Sequence, residues 1–185
     1  SVYGLNDNFP FSTNNVADHP LAMYAVSKRT NELMAHAYSY LYNLPTTGLR
    51  YFTVYGPWGR PDMAYFSFTK DIIEGNAINV FNNGQMQRDF TYIDDIVWAI
   101  AQLVNRPATP NVNWDSALPD PSTSSAPYEI FNIGNNNPVK LKDFISAIES
   151  SLGMQAKKNY LPMQLGDVQS TFADIDALKV AIGYE

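Results

Sequence analysis

Tyr24 and Lys28 stand four residues apart in Tyr24-Ala25-Val26-Ser27-Lys28. On a helix that spacing turns both side chains to one face, where an ammonium beside a phenol lowers the cost of ionising it. A phenol titrates near pH ~10, and a neighbouring cation draws it toward the working range of a general base. The same pair also suits an amphipathic contact in which the lysine stem lies over the ring, so the pair alone leaves both readings open. Ser27 fits a helix hydroxyl bonded to its own backbone.

The elements that must hold this pair can be read from periodicity. Leu5 to Pro20 is polar and aperiodic, a loop suited to forming one wall of a cleft. Leu21 to Tyr42 repeats apolar residues every three or four positions, a helix stopped by Asn43. Thr47 to Tyr55 is dense in β-branched and aromatic residues and ends at Gly56-Pro57, as one buried parallel strand would. The carboxyl end of such a strand faces a ligand crevice. Further helices are expected over Met63–Glu74, Asp94–Asn105, Leu141–Leu152 and Asp174–Ile182, and strands over Ile78–Phe81 and Glu129–Ile133. Asn82-Asn83-Gly84 reads as a turn, and Arg106 to Pro127 as a long loop suited to local disorder. Asp94 and Asp95 fit a helix-start device. The alternation of strand and helix argues for an α/β fold.

Composition narrows the chemistry. With 185 residues, 45% hydrophobic, the chain can bury a sizeable core as one unit. A net charge of −6 without a dense basic run argues against nucleic acid or an anionic membrane, so an anionic ligand must be met by single cations. There is no cysteine, and the two histidines, His19 and His36, are too far apart in sequence to suggest a metal centre. No signal-peptide or membrane-spanning pattern is visible, and a cytoplasmic location is the simplest expectation.

Three more segments join the tyrosine–lysine pair in order: Ser1-Val2-Tyr3-Gly4 before it, then Leu49 to Met63 with Gly56-Pro57-Trp58-Gly59-Arg60-Pro61-Asp62-Met63, then Arg88-Asp89-Phe90-Thr91-Tyr92-Ile93-Asp94-Asp95. Over nearly the whole chain they resemble the extended short-chain dehydrogenase/reductases, in particular the nucleotide-sugar 4-epimerases acting on UDP-glucuronate. The resemblance implies an α/β Rossmann-type fold with NAD as cofactor and a UDP-sugar substrate. No glycine-rich strand-to-helix fingerprint for the dinucleotide is present, so the expectation is the C-terminal part of such an enzyme, lacking the N-terminal dinucleotide-binding half. Residues 1–62 would then be the remainder of the Rossmann core and 63–185 mainly the UDP-sugar-binding lobe. The isolated chain is expected to be inactive and, with apolar strand edges exposed, to self-associate.

By the same resemblance, Tyr24 is the catalytic base. Lys28 holds the nicotinamide ribose and depresses the tyrosine pKa, with Tyr51 beside the cofactor. The Ser or Thr that shares the sugar hydroxyl falls upstream of Ser1, and Ser1 itself corresponds to a position near the sugar C5 substituent, where related decarboxylases and dehydratases usually carry glutamate. Arg60 corresponds to the residue that clamps the sugar carboxylate, a role suited to a bidentate guanidinium; pairing with Asp62 is the alternative. Thr53 contacts the sugar or its phosphate, Arg88 the diphosphate, and Asn79 and Phe81 the uracil. Gln164 stands where related hexose epimerases place a second phosphate-binding arginine, two residues before Gly166-Asp167, with Asp167 also on the substrate side. Lys70 is a candidate to compensate. A uronate decarboxylase, another nucleotide-sugar epimerase, and a non-catalytic UDP-sugar-binding or oligomerising module remain the rival readings.

Overall fold

The computed structural model describes residues 1–164 and 166–185. Helix α1 spans Met23–Tyr42 and ends where Asn43 turns left-handed, its backbone N–H bonded to the Ser39 carbonyl. The helix rests on the sheet through small residues, Ala25 and Ser39, which let the backbones approach. Strand β1, Thr46–Tyr51, follows, and the expected single strand over 47–55 divides at Phe52. Phe52 N donates to Ile133 O at 3.2 Å, closing the parallel ladder of β1 with Tyr128–Ile133, and the chain resumes as β2, Thr53–Tyr55. Strand β2 pairs in parallel with Gln87–Tyr92, setting Thr53 opposite Phe90. A continuous run of strand-forming residues thus serves two sheets, because its first partner runs out at Ile133.

Helix α2, Ala64–Glu74, is closed by left-handed Gly75. Strand β3, Ala77–Val80, stops before Phe81, which opens a tight turn, Phe81–Gly84, with Asn82 and Asn83 left-handed. Gln87–Tyr92 is β4, which the sequence reading did not identify; it leads directly into α3, Ile93–Val104, whose first turn carries Asp94 and Asp95. Carboxylates there meet the positive end of the helix. Tyr128–Ile133 is β5, Pro138–Lys140 is β6, and Leu141–Leu152 is α4. Two further short strands, β7 (Lys157–Tyr160) and β8 (Ser170–Thr171), run parallel to β3 and β4, while β6 pairs antiparallel with β4. Helix α5, Asp176–Ile182, starts two residues later than expected, with the Asp174 carboxylate accepting from Asp176 N at 3.0 Å.

The expected disorder of 106–127 is not found. Ala108, Ser122, Ser124 and Ala126 are buried, Asn111 N bonds Ser124 O at 2.8 Å, and His36 Nε2 meets Ser124 Oγ at 2.8 Å. Small polar residues read as solvent-loving from composition, yet they bury readily once their hydrogen bonds are met.

One apolar cluster joins α3, β5 and α5 through Ile96, Leu103, Ile133 and Leu178; a second joins α2, β3 and α4 through Ile72, Ile78 and Ile145. A smaller one gathers Val2, Tyr3 and Phe11 with Phe52. Ladders run across residue 62, since β1 pairs with β5 and β2 with β4.

Candidate active site

The first turns of α1 present Tyr24 and Lys28 on one exposed face, with the Lys28 ammonium 5.1 Å from the Tyr24 ring centroid. Ser27 Oγ donates to Tyr24 O at 2.7 Å, the local helix bond expected of it. Beside them opens a cavity of about 690 Å³ whose walls include Ser1, Tyr51 and Thr53 as well as Tyr24 and Lys28. Burial pushes the Tyr51 phenol up from its ordinary value, keeping it a neutral hydrogen-bond donor.

Arg88, Asp167 and Thr53 belong to this cavity and also to a smaller one of about 210 Å³, whose wall holds Asn79 and Phe81. Arg88 donates to Asp167 Oδ1 at 2.9 Å and to the carbonyls of Gln87 at 2.8 Å and Gln169 at 3.3 Å. Burial lowers the Arg88 pKa more than the Asp167 charge raises it. A guanidinium so placed gains from a further anion. Asn79 Oδ1 already accepts from Asn159 Nδ2 at 3.0 Å on the neighbouring strand, which orients its amide.

Arg60 and Gln164 stand outside the walls of both cavities. The Arg60 guanidinium, exposed on the β2–α2 loop, pairs with Asp62, Nε to Oδ1 at 3.0 Å and Nη2 to Oδ2. Exposed Gln164 contributes its carbonyl to Asp167 N at 3.3 Å, so it shapes the turn that carries Asp167. Lys70 lies 4.0 Å from Glu74 on another groove and is not brought to the cavities. Among the described residues no cluster of histidine and carboxylates could hold a metal ion, and no helix is long and apolar enough to cross a membrane.

The sequence reading missed the floor of the large cavity. Glu32 on α1 receives Arg50 Nε and Nη2 at 2.8 and 2.9 Å and Arg29 Nη1 at 2.9 Å. The Arg50 guanidinium lies 4.8 Å from the centroid of Tyr3, whose hydroxyl donates to Asn132. Burial disfavours the Glu32 charge, but hydrogen bonds and charges from Arg50 and Arg29 together hold its carboxyl below the usual value. Burial and nearby Glu32 push the Tyr128 phenol up to about 12. An arginine inside the apolar run Leu49-Arg50-Tyr51-Phe52 was the available signal, because a buried guanidinium demands an acid.

Comparison with known proteins bears on the arrangement. The family described as NAD dependent epimerase/dehydratase matches residues 1–134. Protein CapI of Staphylococcus aureus is 62% identical over 178 residues, 96% of this chain and 53% of its own. A probable UDP-glucuronate 4-epimerase of Rhizobium meliloti is 44% identical, covering 100% of this chain and 54% of its own. The crystal structure of UDP-glucuronic acid 4-epimerase from Bacillus cereus, in complex with UDP-glucuronic acid and NAD, superposes with a TM-score of 0.82 at 31% identity, over 100% of this chain and 53% of that one. The chain therefore spans about half the length of the curated relatives it matches. A family match over residues 1–134, joined to a Rossmann-like α/β fold, makes the chain a member of the NAD-dependent epimerase/dehydratase family, within the extended short-chain dehydrogenase/reductases.

Proposed function

We propose that this chain is the substrate-binding part of a UDP-glucuronate 4-epimerase, interconverting UDP-glucuronate and UDP-galacturonate through a 4-keto intermediate. The observation that carries the reading is the wall shared by the two cavities, Thr53, Arg88 and Asp167, with Tyr24 and Lys28 on one side and Asn79 and Phe81 on the other. A cation between a candidate base and an aromatic pocket suits a molecule with sugar at one end, diphosphate in the middle and nucleobase at the other. Arg88 meets the diphosphate. Phe81 stacks on the uracil and Asn79 reads its polar edge.

A bound NAD would supply a hydride acceptor and donor for the sugar C4. The chain's residues fit such a cofactor on the Tyr24 side, where the Lys28 ammonium and the Tyr24 and Tyr51 phenols line the large cavity. Lys28 holds the nicotinamide ribose, and Tyr51 borders the same space. Tyr24 removes the proton from the 4-hydroxyl as the carbonyl forms and gives it back when the hydroxyl is restored. Residues 1–62 supply this chemistry and 63–185 mainly grip the nucleotide. The ketone at C4 is β to the C5 carboxylate, so holding that carboxylate out of line with the carbonyl π-system preserves the intermediate while the ring turns over. Arg60 is assigned that hold, with Ser1 beside the C5 substituent.

A uronate decarboxylase is the second reading, and the place of Arg60 outside the walls of both cavities favours it, since a carboxylate that meets no guanidinium is free to depart. The enzyme works in the cytoplasm as a homo-oligomer, and the isolated chain, with no glycine-rich dinucleotide loop, is inactive. The test is product analysis with UDP-glucuronate and NAD, on this chain and on one joined to an upstream dinucleotide-binding half. UDP-galacturonate from the joined chain supports the epimerase, a pentose product the decarboxylase. Silence from the joined chain overturns both.

A further inference from the structure

We propose that Asp62 is a positioning residue for the uronate carboxylate, acting through Arg60: it grips one edge of the guanidinium so that the opposite edge is presented to the sugar. The inference rests on the functional reading above and extends it to a residue that reading left unused.

A guanidinium has five N–H donors in a plane. Asp62 takes Nε and one N–H of Nη2 with its two oxygens, leaving both N–H groups of Nη1 and the second of Nη2. Those remaining donors form the end-on edge, itself a two-pronged match for a second carboxylate. Both partners are mostly exposed, with side chains 74% and 62% accessible, and an ion pair in that setting adds little to fold stability. Its consequence is orientation. A free arginine side chain samples many rotamers, and fixing two of its donors confines the plane of the other three.

The loop under the pair is built to hold it still. Arg60 and Asp62 flank Pro61 in a turn closed by Met63 N to Arg60 O at 3.2 Å, directly after a turn closed by Gly59 N to Gly56 O at 3.2 Å. Proline fixes its own backbone angle at the second position of such a turn. At Gly59 an added Cβ would lie 1.9 Å from the Tyr65 hydroxyl, so the Gly56–Gly59 turn that leads into the pair is seated directly on that ring. Tyr65 and Met63 both belong to the wall of the smaller cavity, which ties the loop to the nucleotide side. On the other side the Arg60 charge is held chiefly by hydrogen bonds to Asp62, and the Tyr24 phenol is near enough to add to it electrostatically. The guanidinium therefore stands exposed at the end of this loop, one edge committed to Asp62 and the other free for a second carboxylate.

Losing the grip has a chemical signature. When the carboxylate swings into line with the 4-keto group, the bond from C5 to the carboxyl carbon breaks and its electron pair moves into the enolate. Carbon dioxide then leaves, and C5 takes up a proton. A poorly oriented Arg60 should release carbon dioxide that a well-oriented one retains.

The experiment uses the chain joined to its dinucleotide-binding half, as wild type, Asp62→Asn, Arg60→Ala and the double variant. Calorimetry reads the affinity for UDP-glucuronate and UDP-glucose, and turnover reads the split between epimer and carbon dioxide. Asp62→Asn keeps shape and removes charge. It should cut the preference for UDP-glucuronate over UDP-glucose about tenfold, the factor carried by one charge-assisted hydrogen bond. It should also raise the share of carbon dioxide, and have no further effect once Arg60 is alanine. An unchanged preference and product split in Asp62→Asn, or an equal loss with and without Arg60, overturns the proposal. A wild type that neither binds nor converts UDP-glucuronate overturns the functional reading and this proposal together, whereas a wild type that epimerises normally beside an unaffected Asp62→Asn overturns the proposal alone.

Discussion

Arg88 and Asp167, separated by 79 residues in the chain, meet at 2.9 Å in the wall common to both cavities. Strand β4 supplies the arginine, and the turn after Gln164 supplies the acid. The carboxylate covers part of the guanidinium, so a diphosphate bound as proposed would add to a site already partly neutralised. Arg88→Ala should weaken UDP-sugar binding about 10- to 100-fold, the worth of one or two charge-assisted bonds. Calorimetry with UDP checks it; an affinity within twofold of wild type would remove Arg88 from the diphosphate site.

For Tyr24 the expected result is a split between binding and turnover. Tyr24 is exposed beside the large cavity and takes no part in the wall of the smaller one. Tyr24→Phe in the joined chain should lower kcat by about 10²- to 10⁴-fold, the usual contribution of a positioned acid–base group, with substrate affinity little changed. Steady-state kinetics with UDP-glucuronate decides the matter. A variant retaining half of wild-type turnover would mean another group moves the proton.

Glu32 and Arg50 carry a stability prediction. The Arg50 side chain is 4% exposed and the Glu32 side chain 12%, so removing either partner strands a buried charge. Glu32→Gln should cost about 3–5 kcal/mol, read as a lower denaturation midpoint. The pH dependence follows from the depressed Glu32 carboxyl, whose ordinary value is 4.5. Its contribution is fully present above that value and is lost as pH falls through the lower folded value, because the unfolded chain then binds the proton first. Acid titration of Glu32→Gln should show a shallower loss below pH 4.5 than wild type. Parallel acid limbs would show that Glu32 does not titrate with unfolding.

These residues also show how far the sequence could be read. Helices α1 to α5 announced themselves because each buries one face and stops at a residue such as Asn43, Gly75 or Gly153, all left-handed here. The short strands did not. β6, β7 and β8 hold three, four and two residues, too few for a period to be seen, and their ladders depend on partners far along the chain. The break at Phe52 was invisible for the same reason: residue types specify extended backbone, while the change of partner from β5 to β4 is a tertiary event. Tyr24, Lys28, Thr53 and Arg88 were legible because motif spacing carries them, and they converge on one cavity. The acid that Arg50 meets could not be read from spacing, whereas Asp62, two residues from Arg60, is legible as its alternative partner and is the one it keeps.

Self-association can be tested on α1. Opposite the face that packs on β1 runs a stripe of Val26, Leu33, Met34 and Leu41, all exposed, with Ala37 among them and no charged residue on it. These positions recur at three- and four-residue spacing, so they form one band along a 20-residue helix. An uncharged band is indifferent to which end of a partner it meets, and a two-fold axis can set it against its own copy without opposing like charges. A second copy is therefore the occupant expected. Light scattering over a concentration series should give a dimer for wild type, and Leu33→Glu, which sets a charge at the middle of the stripe, should give a monomer with unchanged circular dichroism. Leu5→Glu, at a still more exposed apolar position away from the helix, should leave the dimer intact. A monomeric wild type, or a Leu33→Glu variant that dimerises as before, would mean that this face does not pair with itself.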